Sequence, residues 1–320
     1  ISIEATYPAN FYAEMKSGGA YLGYLMEQKQ REHYYQVAPM DIWAQEIGNN
    51  QWVSLPRGLQ QLPDELASKY RSNILYNSHV TSMAFTGRRA VLQFASGDTL
   101  PTDILVSALP AYELAALMQP HSQTLHDMLM QIPYSNLATV NFAFDEAVLK
   151  EEHLHGRCIY FPRNQKSEIL GIHLDSALFP SFSALSVGGV GLEKEEMDKK
   201  TIVTVQLGDR PELGIDIEAM SELELAAIAL KNLRKVLKIE VSPDQMKVKK
   251  CLKSVPQYPI GHSELATEIR KVLSRDFPQV YIVGASLDGL EIPDAIYSGA
   301  RVTVPVVQYL EARFGGEGKK

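Results

Sequence analysis

Several features that would settle the class of this chain at once are missing from it. No G-x-G-x-x-G string occurs in its 320 residues, so the glycine fingerprint that seats a dinucleotide pyrophosphate on a helix N-terminus is absent. Gly18-Gly19 precedes an Ala-Tyr-Leu run, but it follows no strand and lacks a third glycine. The two cysteines, Cys158 and Cys251, have no metal-ligand spacing and no partner motif nearby, and they read as reduced core or near-surface thiols. Basic residues number 31 against 38 acidic ones, a net charge of −7, so a nucleic-acid partner has no electrostatic footprint. The longest uncharged runs, Met128–Phe144 and Ser176–Leu192, are broken by proline and polar residues. Neither reads as a membrane span, and any membrane association would be one-sided, with residues 1–50 best placed for it. The chain opens at Ile1 with no charged or apolar leader, so no targeting signal is visible.

What is present is a mixed α and β pattern. Residues 1–50 carry Ala20–Met26 before a charged run and predict mostly helix. Leu59, Leu62, Leu66 and Tyr70 recur at helical spacing and predict a helix over 58–70. Short β-like runs follow at Ile74–Tyr76, Val80–Phe85, Ala90–Phe94 and Ile104–Leu109, with glycines 87 and 97 at the turns. A helix is expected over 111–131, then a strand over Asn136–Phe144 with Val140, Phe142 and Phe144 on one face. Further strands are expected at 169–175, 201–207 and 247–252, and a solvated loop over 181–200. Leu223, Leu225, Ile228, Leu230, Leu233 and Leu237 predict an amphipathic helix over 221–237. His153 and His155 look like a metal pair, but no carboxylate is clearly placed to complete a site.

The most informative stretch is Val280–Arg301, VYIVGASLDGLEIPDAIYSGAR. It predicts an apolar strand, a glycine turn and a helix opening at Pro293-Asp294, where a proline and an acid suit the first turn. Upstream stands Pro256-Gln257-Tyr258-Pro259-Ile260-Gly261-His262. His262, after a glycine at a loop–helix junction, reads as a capping or packing residue rather than a base.

These two segments resemble a known family. The first is similar to the C-terminal flavin-contacting motif of the FAD-dependent amine oxidase superfamily, and the second resembles the P-Q-Y-x-x-G-H signature of its protoporphyrinogen oxidase branch. Pro56–Leu59 with Leu62-Pro63, Asp103–Pro110, and Leu170–Ile172 with Asp175-Ser176 and Phe179-Pro180 resemble further family strings. The resemblance runs from about Trp52 to Leu310 and is closest to the animal, mitochondrial form. It implies an α/β (mixed α+β) two-domain FAD-linked oxidoreductase fold, with a mixed-sheet FAD domain and an antiparallel-sheet substrate domain. The N-terminal dinucleotide-binding unit is expected to be missing. Residues 1–50 would end a helical membrane-associated region, 51–112 and 263–320 would belong to the FAD domain, and 113–262 would form the substrate domain.

The resemblance also implies a chemistry. FAD would take hydride from protoporphyrinogen IX to give protoporphyrin IX, dioxygen would reoxidise it, and no nucleic acid would be involved. Expected with it are one-sided association with the mitochondrial inner membrane and a homodimer. Carried over residue by residue, the flavin contacts fall on Val80, Leu290, Glu291 and Ile292, with Gly284 and Gly289 shaping the turn. The substrate strand departs from the family pattern: Gly156–Pro162 keeps its frame but carries Arg157, Cys158 and Tyr160, and Gln206 replaces a methionine. Three readings stay open. Arg157 pairs a propionate while Tyr160 stacks on a ring; or the strand is slipped, so that Ile159 and Phe161 make the apolar contacts; or oxidase activity is lost, leaving a porphyrin-binding or scaffold homologue. A related flavin amine oxidase is a further alternative.

Overall fold

A computed structural model of the chain describes residues 55, 58–87, 89–150, 153, 157–179 and 200–314. The helix expected within residues 1–50 and nearly all of the loop expected at 181–200 lie outside the described residues.

In chain order the elements are α1 (Gln61–Lys69), β1 (Val80–Thr86), β2 (Arg89–Phe94), β3 (Thr99–Thr102), β4 (Leu105–Ser107), α2 (Ala111–Met118) and α3 (Gln123–Met130). They continue with β5 (Tyr134–Phe144), β6 (Cys158–Tyr160), β7 (Gly171–His173), α4 (Asp175–Leu178), β8 (Thr201–Gly208) and α5 (Glu222–Leu237). The last are β9 (Gln245–Pro256), α6 (His262–Asp276), β10 (Val280–Ile282), α7 (Ile292–Arg301) and α8 (Thr303–Phe314). The chain divides into two compact units, one containing residues 75–133 and the segment from 256 onward, the other containing 134–255 with the stretch through residue 74.

The first unit holds the antiparallel meander β1-β2-β3 and a parallel pair in which Val280, Tyr281 and Ile282 of β10 align with Leu105, Val106 and Ser107 of β4. A single helix expected over 111–131 is two. Pro120 cannot donate an i→i−4 bond, and α3 restarts where the Ser122 hydroxyl accepts the Leu125 amide at 3.2 Å. Ile74–Tyr76, expected as β, is coil and turn, and the strand Thr99–Thr102 was not anticipated.

The second unit is an antiparallel five-stranded sheet, ordered β6-β7-β8-β5-β9, with α5 packed on one face. Period-2 alternation sends Val140, Phe142 and Phe144 of β5 and Val203, Val205 and Leu207 of β8 into the same core, all essentially inaccessible to solvent. Helix α5 starts in a reciprocal cap: the Ser221 hydroxyl accepts the Glu224 amide while the Glu224 carboxylate accepts the Ser221 amide at 2.8 Å. Leu225, Ala226, Ala229, Leu233 and Leu237 are its buried stripe. Leu223, expected in that stripe, is 76% exposed, because it stands two positions before Leu225, on the opposite side of the turn. The helix expected over 58–70 forms as α1, and the apolar residues whose spacing announced it, Leu59, Leu62, Leu66 and Tyr70, stand exposed among the described residues.

Candidate functional site

In the first unit, the strand–turn–helix that drew attention in the sequence is built as expected, and the P-Q-Y segment holds it. Strand β10 ends at Ile282, and the chain then makes a turn through Gly284 and Gly289 before α7. Tyr258 is buried, and its hydroxyl reaches both ends of that turn: it donates to the Ala285 carbonyl and accepts the Gly289 amide at 3.0 Å. Gly289 sits at φ +115°, a conformation that excludes most side chains, and a Cβ there would stand 2.3 Å from Asp294 Oδ2. His262 opens α6, with Gly261 as the cap residue before it. Its ring lies 4.0 Å from that of Tyr258, inclined by 14°, and among the described residues neither ring nitrogen makes a hydrogen bond of good geometry. Burial, with the Arg270 charge adding to it, lowers its pKa to about 4. It packs as a neutral aromatic.

One carboxylate organises the rest of the turn. Asp288 is 5% exposed; its Oδ1 lies 2.5 Å from Arg270 Nη2 and 2.8 Å from Arg301 Nη2, and its Oδ2 accepts the Ser298 hydroxyl at 2.5 Å. The Ser298 oxygen in turn accepts the Gly284 amide at 2.7 Å. Helix α7 is capped by its own residues, with the Glu291 amide on Asp294 Oδ2 at 3.1 Å and the Asp294 amide on the Glu291 carboxylate. Since Pro293 has no N–H, Ile292 is left as the first-turn amide without a capping partner among the described residues. The first-turn amides of α7 are therefore largely answered within the chain.

The segment fits a flavin in a limited sense. A Cβ on Gly284 would meet no atom of the described residues within 4 Å, and Leu290 and Ile292 are 38% and 44% exposed beside it. Gly284, Gly289, Leu290, Glu291 and Ile292 are thus brought together on one turn. Val80 opens β1, in a different sheet from β10.

In the second unit, β6, β7 and β8 set Tyr160, Gly171 and Gln206 in one row, and Cys158, His173 and Thr204 in the next. This is the face of the sheet opposite the core. Gly171 is required here, because a Cβ would lie 2.9 Å from both the Ile159 carbonyl and the Tyr160 ring. Tyr160 meets His173 edge-on at 5.7 Å. The Thr204 hydroxyl lies 2.7 Å from Asn141 Oδ1 and 2.7 Å from Asp175 Oδ2, and with one hydrogen it donates to one of them at a time. Burial pushes the Asp175 pKa up, against the Thr204 hydrogen bond. Ile159 and Phe161, the residues a slipped strand would present to substrate, pack against the hydrophobic core instead. Arg157 precedes β6, its carbonyl accepting the Leu174 amide at 2.9 Å. Tyr160 and Gln206 share the face of the sheet opposite the core.

The residues that sequence reasoning missed are those whose meaning depends on meeting. Tyr258, Asp288, Ser298 and Arg301 lie within the quoted strings, but nothing in the strings says that one phenol and one carboxylate tie them together. Arg270, His173 and Thr204 carry no local signal.

The chain belongs to the family of flavin-containing amine oxidoreductases, whose profile matches residues 1–306, and FAD is the cofactor this membership brings. Within it, the chain is 26% identical over 260 residues to protoporphyrinogen oxidase of Dictyostelium discoideum, covering 78% of this chain and 49% of that protein. It is 25% identical over 311 residues to coproporphyrinogen III oxidase of Bacillus subtilis (strain 168), covering 97% of this chain and 61% of the relative. A crystal structure from Exiguobacterium sp. 255-15, provisionally named a protoporphyrinogen oxidase, superposes with a TM-score of 0.67 at 20% identity, over 97% of this chain and 60% of the other; the likeness is one of fold. The chain thus spans about half to three-fifths of the length of these relatives.

Proposed function

We propose that the chain is the flavin-turn and substrate-sheet portion of a porphyrinogen oxidase, converting protoporphyrinogen IX to protoporphyrin IX with dioxygen as the final acceptor. The observation that carries this reading is the hydrogen-bonded union of the two motifs: Tyr258 of the P-Q-Y string grips both ends of the turn in the flavin-contacting string. FAD, when bound, supplies the hydride acceptor. Gly284 and Gly289 shape the turn that receives it, Leu290, Glu291 and Ile292 lie against it, and Val80 serves its adenine half. On the second unit, Tyr160 offers a ring face to the macrocycle, Gln206 a polar contact beside it, and Arg157 a cation for a propionate. The names of the relatives support a porphyrinogen substrate, and the resemblance to that branch implies a role in haem formation. Residues 113–262 would supply the substrate domain, and 51–112 with 263–320 the FAD domain.

Among the described residues no helix is long and apolar enough to cross a membrane. We propose one-sided association with the mitochondrial inner membrane and a homodimer, on the strength of the resemblance to the animal enzymes.

The test is anaerobic loading of the full chain with FAD, then addition of protoporphyrinogen IX, coproporphyrinogen III or a primary amine in air, following porphyrin fluorescence and peroxide. Porphyrin and peroxide produced from protoporphyrinogen IX above the autoxidation rate are expected. Faster turnover of the amine would replace the substrate assignment. Porphyrin binding with no flavin and no peroxide would replace the enzyme with a binding homologue.

A further inference from the structure

The first unit contains a cavity of about 280 Å³ between α6, β10 and the junction of α7 with α8. Its lining combines hydrocarbon, including Leu273, Ile282 and Pro305, with two guanidiniums, Arg270 and Arg301. None of Gly284, Gly289, Leu290, Glu291 and Ile292 lines it. We propose that this cavity binds a small organic anion: a carboxylate carried on an apolar body.

The charge balance points there first. Two guanidiniums share the single carboxylate of Asp288, both through Oδ1. The other carboxylate oxygen is taken by Ser298. One positive charge is left over. Neither arginine has another bonded partner among the described residues, and their side chains are 33% and 37% exposed, so their remaining N–H groups are available at the cavity wall. Of the other charges on α6, Lys271 pairs with Glu268 at 2.6 Å and Arg275 with Asp276 at 2.7 Å, while Glu264 stands at the far, N-terminal end of the helix and does not line the cavity. His262, with its pKa near 4, adds no charge at neutral pH.

The walls then select the ligand. A guanidinium presents a planar fork that suits a carboxylate. A bare inorganic anion would satisfy the charge but bury no apolar surface. A neutral hydrocarbon would bury surface and leave the guanidinium hydrogens unanswered. Only a molecule with both features uses the whole lining. Its carboxylate would also compete with Asp288 for the two arginines, and Asp288 is linked through Ser298 to the Gly284 amide. Occupancy is therefore expected to be felt at the flavin turn, although the anion site itself does not rest on the flavin reading.

Benzoate is the probe, titrated into the full chain by calorimetry and by amide NMR, with benzyl alcohol and inorganic phosphate as the two half-ligands. Saturable benzoate binding is expected, at least tenfold tighter than either half-ligand and accompanied by a shift of the Gly284 amide. Arg301→Gln should weaken it at least tenfold, and Arg301→Lys by less, since the charge stays while the fork goes. Ser274→Trp, at an exposed position on the cavity lining, should block binding while leaving both arginines in place, which keeps the test valid should Arg301→Gln fold poorly. Phosphate or benzyl alcohol binding as tightly as benzoate would overturn the proposal. So would undiminished benzoate affinity in a folded Arg301→Gln or Ser274→Trp protein, or no saturable benzoate binding at all.

Discussion

In the second unit, β5 and β8 send alternate residues into one continuous apolar core under α5, and the polar face of the sheet rides on that packing. In the first unit, α7 buries Ser298 alone and α8 buries nothing among the described residues, and the turn before α7 is fastened by a phenol, a hydroxyl and a carboxylate. The same chain therefore fixes one candidate surface by volume, and adds to the buried Leu287, Val280 and Ile282 of the other a handful of directional bonds. Packing is non-directional and tolerant of modest reshaping, whereas a hydrogen-bonded latch is lost in one step when its partner goes.

The sharpest break is expected in the sheet. Phe142→Ala removes a side chain with no solvent exposure from the middle of the core, and should cost about 3–5 kcal/mol of stability. Chemical denaturation of the variant should show this loss, while changes in near-turn amide shifts stay small.

Next in size is a pH effect confined to the first unit. The folded protein holds His262 near 4, below its ordinary 6.5. The unfolded chain therefore takes up a proton first as pH falls. The stability tied to this group is complete above about pH 6.5 and is lost between there and about 4, amounting to up to about 3 kcal/mol. Unfolding midpoints measured across that window should fall for the native chain, and should fall less for His262→Phe, which keeps the stack on Tyr258.

The smallest effect is the most local. Tyr258→Phe keeps the buried ring and deletes the hydroxyl that serves Ala285 and Gly289. A cost of about 2 kcal/mol is expected from the two unanswered backbone groups, with weakened flavin retention. If retention is unchanged, the turn is held by the Asp288 arm alone.

How much of this was legible in advance follows the same division. Strong periodicity foretold β5, β8 and α5 to within two residues at each end, because burial on one face imprints the period directly. It erred at Leu223, where a leucine adjoining the stripe was counted within it, while at α1 the helical spacing foretold the helix, whose apolar positions are exposed among the described residues. Resemblance located Val280–Arg301 and the P-Q-Y string, but the bond between them joins residues 27 and 31 positions apart through a phenol, which no local pattern encodes. The substrate strand was readable only up to its parity: the sequence left open which of Tyr160 or Ile159 and Phe161 points away from the core, and the pairing of Ile159 with Ile172 decides it. The Asp288 cluster was invisible, since two arginines and a serine from two helices converge on it.

The amide hydrogens of Gly284 and Gly289 lie outside every strand ladder, yet each is held by a side-chain oxygen, Ser298 for one and Tyr258 for the other. In deuterated solvent such protons exchange only when their own latch lets go. The two ends of the turn thus carry separate clocks: the Gly289 rate follows the swing of the phenol, and the Gly284 rate follows the serine and, behind it, the charge cluster. A ligand that steadies the turn as a whole slows both, while one that disturbs the arginines alone quickens the first glycine and leaves the second at its old pace.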